Sequence, residues 1–291
     1  MKIVTRVFRR LISSVCMAAV LLLLSLTLKL HAAEFDHSYQ SFSNLLGQVV
    51  QLSDDKNQSR VNYQQLALNG NLNDFLTQLS LVEKSQFDVW DQEQKLSFLI
   101  NAYNAFTLKL IVDNWDAFKQ GDAKSIRDLG GLFSTPWEKE FFTLFGKKHT
   151  LDDIEHKMIR GWFTEPRIHT ALVCAAVSCP PLRNEAFVAE QLTQQLDKQM
   201  HLFLADNSRN EILAQGNQGE ASLSAIFKWY RGDFEKGDGG FNSLFDLISS
   251  YSDALIEGDP DQQAQRAIID SGNYPIIFKD YDWRLNDVLN F

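Results

Sequence analysis

KLSFLINAYNAFTLKLIV, residues 95–112, is apolar on nearly every face at helical spacing. A surface helix shows one apolar stripe; a helix apolar all round belongs in the centre of a domain. The segment therefore predicts a long helix from about Asp91 to Trp115, around which the rest of the chain packs. It carries one contrary feature. Ser97, Asn101 and Asn104 fall on a single face at i, i+4 and i+7,. A buried carboxamide left unpaired costs about 1–3 kcal/mol, so these amides need partners. Either they bond neighbouring backbone as satisfied core amides, or one of them orients an imidazole, as in a Cys–His–Asn site.

Outward from this helix the pattern stays mostly helical. LNDFLTQLSLV (72–82) and VAEQLTQQLDKQMHLFLAD (188–206) are amphipathic, the latter with Leu192, Leu196, Met200 and Phe203 or Leu204 on one stripe,. LSAIFKWYRGDF (223–234) and NSLFDLISSYSDAL (242–255) read as further helices. EFFTLFGKKHTL (140–151) differs: two short β-favouring runs flank Gly146-Lys147, a hairpin,. Thr150 then caps a new helix, with Asp152, Asp153 and Glu155 in its positively polarised first turn,. YPIIFKDYDWRL near the end reads as a short strand and an aromatic turn. The short polar stretches 52–60, 118–124, 214–221 and 235–240 read as surface loops within one domain,. The expected class is α+β: a mostly helical single domain with a β-hairpin and a few short strands.

IHTALVCAAVSCPPL (168–182) holds both cysteines outside the N-terminal leader. His169 and Cys179 cannot form a dyad within it, for they lie about 33 Å apart if extended and about 15 Å apart along a helix axis. His169 and Cys174 are no better placed. A base must come from elsewhere, and His156 in DDIEHKMIR is the candidate. Pro180 and Pro181 deny Cys179 a helical interior, so it is expected to be the accessible sulfur,. Cys174, among Leu172, Val173, Ala175 and Val177, is expected to be a core thiol,. A Cys174–Cys179 disulfide requires the helix to end between them so that the Cα atoms approach within about 7 Å. No pair of potential ligands has a tight HxxxH or CxxC spacing, so neither metal nor cofactor is expected.

The chain opens with a basic start (Lys2, Arg6, Arg9, Arg10), an apolar run over 11–28, then Ala32 and Ala33 before the first acid, Glu34. That order predicts a secretory signal over 1–33 and export to the periplasm or exterior; an inner-membrane anchor through 11–28 is the alternative. An N-terminal helical segment then spans 34–71 and the main domain 72–291. The leader holds five of the 28 basic residues and no acid, so without it the net charge moves from −9 to −14. Such a balance argues against nucleic acid as a partner. With 45% hydrophobic residues and 21 Phe, the chain can bury a large core and is not a disordered protein,.

INAYNAFTLKL, TLDDIEHKMIR, PRIHTALVCAAVSCPPLRNEAF, LSAIFKWYRGDF and YDWRLND, in this order from about Phe75 to Asp287, resemble the DUF547 family. That resemblance implies a domain without an established activity, and a position at Cys179 that relatives often fill with Ser. The polar residues Asn101, Asn104, Glu155, His156, His169, Cys179 and Arg183 are the expected site. As an enzyme it would be a Cys/His hydrolase or acyl transferase of the cell envelope. Cys179 would be the nucleophile, His156 or His169 the base, an asparagine the orienter and Arg183 the anion contact. Two other readings stand beside it: a non-catalytic periplasmic binding or assembly domain with a buried polar network, and a redox dithiol.

Overall fold

In a computed structural model, which describes residues 34–131, 134–216, 218–237 and 241–290, the long apolar segment is a 22-residue helix, Gln92–Asp113. The leader expected over 1–33 lies outside the described residues. Asp91 starts the helix with a capping box: its side chain accepts from the Gln94 N–H at 2.6 Å, while Gln94 Oε1 accepts from the Asp91 N–H at 3.2 Å,. Every residue from Leu96 to Leu108 is buried, so this is the central helix that the all-round apolar pattern predicts.

Each of its two asparagines bonds backbone through both ends of its amide. Asn101 donates from Nδ2 to the Phe187 carbonyl at 2.7 Å and accepts from the Phe187 N–H at 3.0 Å. Asn104 donates to the Ala171 carbonyl at 2.9 Å and accepts from the Val173 N–H at 2.9 Å. Neither amide orients an imidazole. The expectation of Asn104 or Asn101 as a catalytic orienter is corrected, because backbone takes both ends of each amide.

Two sets of elements pack around this helix within His37–Phe291, a single compact unit. On one side are the helices Gln40–Val49 and Asn71–Leu81, joined by Phe42 stacked on Phe75 at 4.3 Å. Between them lies the antiparallel pair β1 (Val50–Leu52) and β2 (Ser59–Val61). The predicted hairpin is present as β3 (Phe142–Leu144) and β4 (Lys147–His149). Its turn is Phe145-Gly146, both with positive φ (52° and 73°), one residue earlier than the sequence suggests,. Phe142 stacks on Phe106 of the central helix at 3.7 Å and so docks the hairpin.

The second set follows the helix Leu192–Leu204, whose stripe of Leu192, Leu196, Met200, Phe203 and Leu204 is buried as expected. Here β5 (Glu211–Gln215), β6 (Gln218–Leu223) and β7 (Ile276–Phe278) form a sheet in the order β5-β6-β7, with β6 and β7 parallel. The stretch 214–221, read from sequence as a loop, is therefore mostly strand. Gly216, with φ 61°, supplies the tight turn. Gly219 lets two elements close up, since a Cβ there would stand 2.5 Å from the Leu213 carbonyl oxygen,. Ile212, Ala221 and Leu223 join Phe203, Phe227, Phe234, Leu247 and Ile268 in one core. The α+β class, mostly helical with small sheets, is what the residues build.

Segment 281–287 acts as a strap. Val61, Val177 and Ser178 donate their N–H groups to the carbonyls of Asn286, Arg284 and Asp282 at 2.9, 2.9 and 3.1 Å. The Asn286 N–H reaches the Ala175 carbonyl at 3.1 Å, and the Tyr63 hydroxyl donates to Asn286 Oδ1 at 2.8 Å. The cysteine segment is thus held by Asn104 on one side and by this strap on the other.

Asn104→Ala is expected to destabilise the protein by about 1–3 kcal/mol, because the Ala171 carbonyl and Val173 N–H stay buried without partners. Chemical denaturation measures it; a loss under about 0.5 kcal/mol, typical of an exposed position, would contradict the clamp.

Candidate functional site

The segment after β4 begins as the sequence indicates. Thr150 Oγ1 accepts from the Asp153 N–H at 3.0 Å, and Asp153 Oδ2 accepts from the Thr150 N–H at 3.1 Å. From Asp153 to Ile159, however, the winding is π and not α. Such insertions are rare and recur at functional sites because they re-aim side chains within a helix. Here Glu155 turns inward and is only 5% exposed, whereas His156 next to it stays at the rim.

Glu155 does not stand alone. The Tyr230 hydroxyl donates to its Oε1 at 2.5 Å, and Tyr103 of the central helix lines the same cleft beside it and Trp137. Burial, reinforced by the neighbouring carboxylate, pushes both phenols well above the ordinary tyrosine range, so both remain donors,. The His169 ring stacks on Tyr230 at 3.7 Å between centroids. Its Nε2 lies 2.9 Å from Asp233 Oδ2. A carboxylate only accepts, so neutral His169 carries its proton on Nε2. Arg160 donates to both Asp233 oxygens, at 2.5 and 3.1 Å, and Lys236 adds a third cationic or imidazole partner's worth of donation at 3.1 Å. The bond from His169 and these charges hold Asp233 far below the usual carboxylate range. Burial lowers the His169 pKa despite Asp233.

These groups back a cleft of about 350 Å³. Trp137, Trp229, Tyr281 and Trp283 form one wall, with Tyr281–Trp283 and Trp229–Tyr281 centroids 4.5 and 4.8 Å apart. Asp152, Glu155, His156, His169 and Cys174 also line it.

Of the residues expected from sequence, Glu155, His156 and His169 meet at this cleft. His156 is bound through Nδ1 to Arg160 at 2.9 Å and faces Asp152 at 3.7 Å, so it is not directed to a cysteine. Arg183 lies elsewhere, paired with Glu185 and over the Phe187 ring at 5.6 Å. The expectation for the two cysteines is reversed. They are joined as a disulfide with Cα atoms 6.2 Å apart. Cys179 is buried at 2% exposure, while Cys174 is half-buried and lines the cleft. The reason is local: Pro166–Thr170 is a short 3-10 turn, and Ala175 adopts a positive φ of 59° that folds the chain back before the prolines. Pro180 and Pro181 are themselves buried, so an extended exit here leads inward. The partners Tyr103, Tyr230, Asp233, Trp137, Trp229, Tyr281 and Trp283 were not singled out from sequence. The available signal was the alternation of aromatic and charged residues in KWYRGD and YDWR, which a reading for packing treats as amphipathic surface.

The fold and site define an α+β domain with an aromatic cleft closed around a buried carboxylate. Residues 87–204 match the model of the family described as "Protein of unknown function, DUF547", and the chain carries a DUF547 domain. That match covers the central helix, the π-helix and the cysteine segment; Tyr230, Asp233, Tyr281 and Trp283 lie beyond it. Comparison with curated proteins and with solved structures returns no match.

The His169–Asp233 pair gives a pH signature. The unfolded chain takes up a proton at histidine near pH 6.5 and at aspartate near 3.9, about the ordinary values. The folded protein keeps both groups deprotonated to lower pH. Acid therefore favours the unfolded chain: stability complete above about pH 7 is lost below about 6.5 through His169, then below about 4 through Asp233. His169→Gln is expected to be less stable than wild type at pH 7.5, yet to lose less on transfer to pH 5. Denaturant midpoints at the two pH values check this, and an equal loss in both proteins would contradict it.

Proposed function

We propose that this is an exported binding protein whose cleft takes a small organic cation, an amine or quaternary ammonium. The observation that carries the reading is the composition of the lining. Six aromatic rings, Tyr103, Trp137, Trp229, Tyr230, Tyr281 and Trp283, surround the carboxylates of Glu155 and Asp152. Among the described residues, no lysine or arginine lines it. Ring faces carry negative quadrupole potential, and an ammonium over them gains about 0.5–2 kcal/mol, more when water is excluded. The rings already attract cations from outside: Arg127 lies 5.1 Å from the Trp283 centroid and Arg160 5.3 Å from that of Tyr230.

The polar network behind the cleft favours binding over thiol chemistry. Asn101, Asn104, His169 and Asp233 hold one another or the backbone in place. Cys179, the nucleophile of the hydrolase reading, is bridged and buried. Export draws support from the basic–apolar–small order of residues 1–33, and from a disulfide, which persists in oxidising compartments,.

Two measurements test this. Choline, titrated against tryptophan fluorescence, is expected to bind at least about tenfold more tightly than its uncharged carbon isostere 3,3-dimethylbutanol. Glu155→Gln and Trp229→Ala should each weaken choline binding several-fold. Equal binding of the isostere, or none of either compound, overturns the cation reading. For export, intact-mass analysis of extracytoplasmic material is expected to give an N-terminus within a few residues of Glu34. A full-length mass in the membrane fraction would instead favour an anchor over 11–28.

A further inference from the structure

The disulfide is asymmetric in a way that binding at the cleft does not use. Three donors converge on one of its sulfurs. The Cys174 N–H reaches Cys179 Sγ at 3.0 Å, the Ala176 N–H at 3.4 Å and the Tyr281 hydroxyl at 3.2 Å. Among the described residues, the partner of Cys174 Sγ is that same Tyr281 hydroxyl, at 3.1 Å, whose single proton is shared between the two sulfurs, whereas both backbone amides point to Cys179 alone,. Donors of this kind add little to a neutral disulfide sulfur, but they bond strongly to a thiolate. Burial raises the Tyr281 pKa, so the phenol keeps its proton to donate. The buried Arg209 guanidinium bonds the Val177 carbonyl at 2.6 Å and so fixes the same loop, while its charge is paired with the buried Asp206. Access has the opposite polarity: Cys174 lines the cleft and Cys179 is enclosed.

We propose that Cys174–Cys179 is a thiol–disulfide exchange centre, with Cys174 as the sulfur attacked from the cleft and Cys179 as the leaving thiolate held by Tyr281 and two backbone amides. The co-reactant is a thiolate-bearing reductant. Its sulfur forms a bond to Cys174 Sγ as the Cys174–Cys179 bond breaks, and the electron pair leaves on Cys179 Sγ. A second thiolate of the reductant then attacks the first reductant sulfur and releases Cys174. The reductant is oxidised to a disulfide and the cysteine pair is reduced by two electrons; Cys174 takes one proton from solvent, and Cys179 stays as the hydrogen-bonded thiolate. Exchange rate and position depend on leaving-group stability and on which sulfur is reached, and both factors select the same direction here. The centre is independent of the cation reading: its reacting atoms are sulfurs, and choline binding tests none of them.

The test uses the full folded protein and glutathione as probe. Wild-type protein is equilibrated with graded ratios of reduced to oxidised glutathione, quenched with acid, alkylated and peptide-mapped, with tryptophan fluorescence reporting that the fold is retained. The expected result is reduction in the native state through a glutathione adduct on Cys174. Cys179→Ser should accumulate that adduct, while Cys174→Ser should stay unmodified until denaturant is added. Tyr281→Phe, which keeps the ring, is expected to need about fivefold more reductant for half-reduction, the value of one hydrogen bond to the thiolate. An adduct on Cys179, reduction only after unfolding, or a Tyr281→Phe ratio within about twofold of wild type would each overturn the proposal. Should a cysteine variant fail to fold, adduct mapping on the wild-type protein still decides which sulfur is attacked.

Discussion

Two side-chain amides on one face of a buried helix govern how the rest of this chain is arranged. Asn101 and Asn104 each trade a donor and an acceptor with backbone at Phe187, and at Ala171 and Val173. The segment they grip is irregular and buried, a combination that normally fails because each free N–H or C=O loses water without gaining a partner. By behaving as pieces of backbone, the asparagines supply the missing ladder. With the segment fixed, Cys174 and His169 reach the cleft from known positions, and the strap at 282–286 finds carbonyls and N–H groups in register.

The π-wound segment depends on the same helix. Tyr103 lies one residue before Asn104 and lines the cleft with the Glu155 that the wide winding turns inward. Glu155, Tyr230, His169, Asp233 and Arg160 then form a chain of contacts running from the cleft wall to the surface. Each member constrains the next: Asp233 fixes the tautomer of His169, whose ring supports Tyr230, whose hydroxyl holds Glu155. Bonds linked in this way reinforce one another in a low-dielectric interior.

How much of this was legible in the residues varied with the range of the signal. The central helix was readable because apolarity all round has one physical interpretation, and Thr150 because a cap is a local bond. The bland reading of the asparagines was also available in advance, since buried amides seek backbone. What escaped was long-range. The strands at 211–215 and 218–223 hold two Gln, two Glu and a Gly with Ile212 as their one β-branched residue, and only their burial against Ile268 and Phe203 makes them sheet. The order of burial in the two cysteines is not local either: Pro-Pro reads as an outward exit, whereas the fold-back at Ala175 sends it inward. The aromatic wall joins Trp137, Trp229 and Trp283, which no local period connects.

That long-range character bears on how the molecule comes to be folded. The strap at 281–287 bonds Val61, Ala175, Val177 and Ser178, and it carries Tyr281 and Trp283 into the wall. Of the segments that build the cleft, it is the last to leave a ribosome. Contacts spanning more than one hundred residues, and for Val61 more than two hundred, pay their loop-closure entropy before they return any stability,. The helices can therefore assemble while the cleft is still open on one side, and the two cysteines can meet oxidant before Tyr281 arrives. The wall can be completed only once residues 281–287 are present, so the order of the chain makes them the last part of the cleft to be supplied.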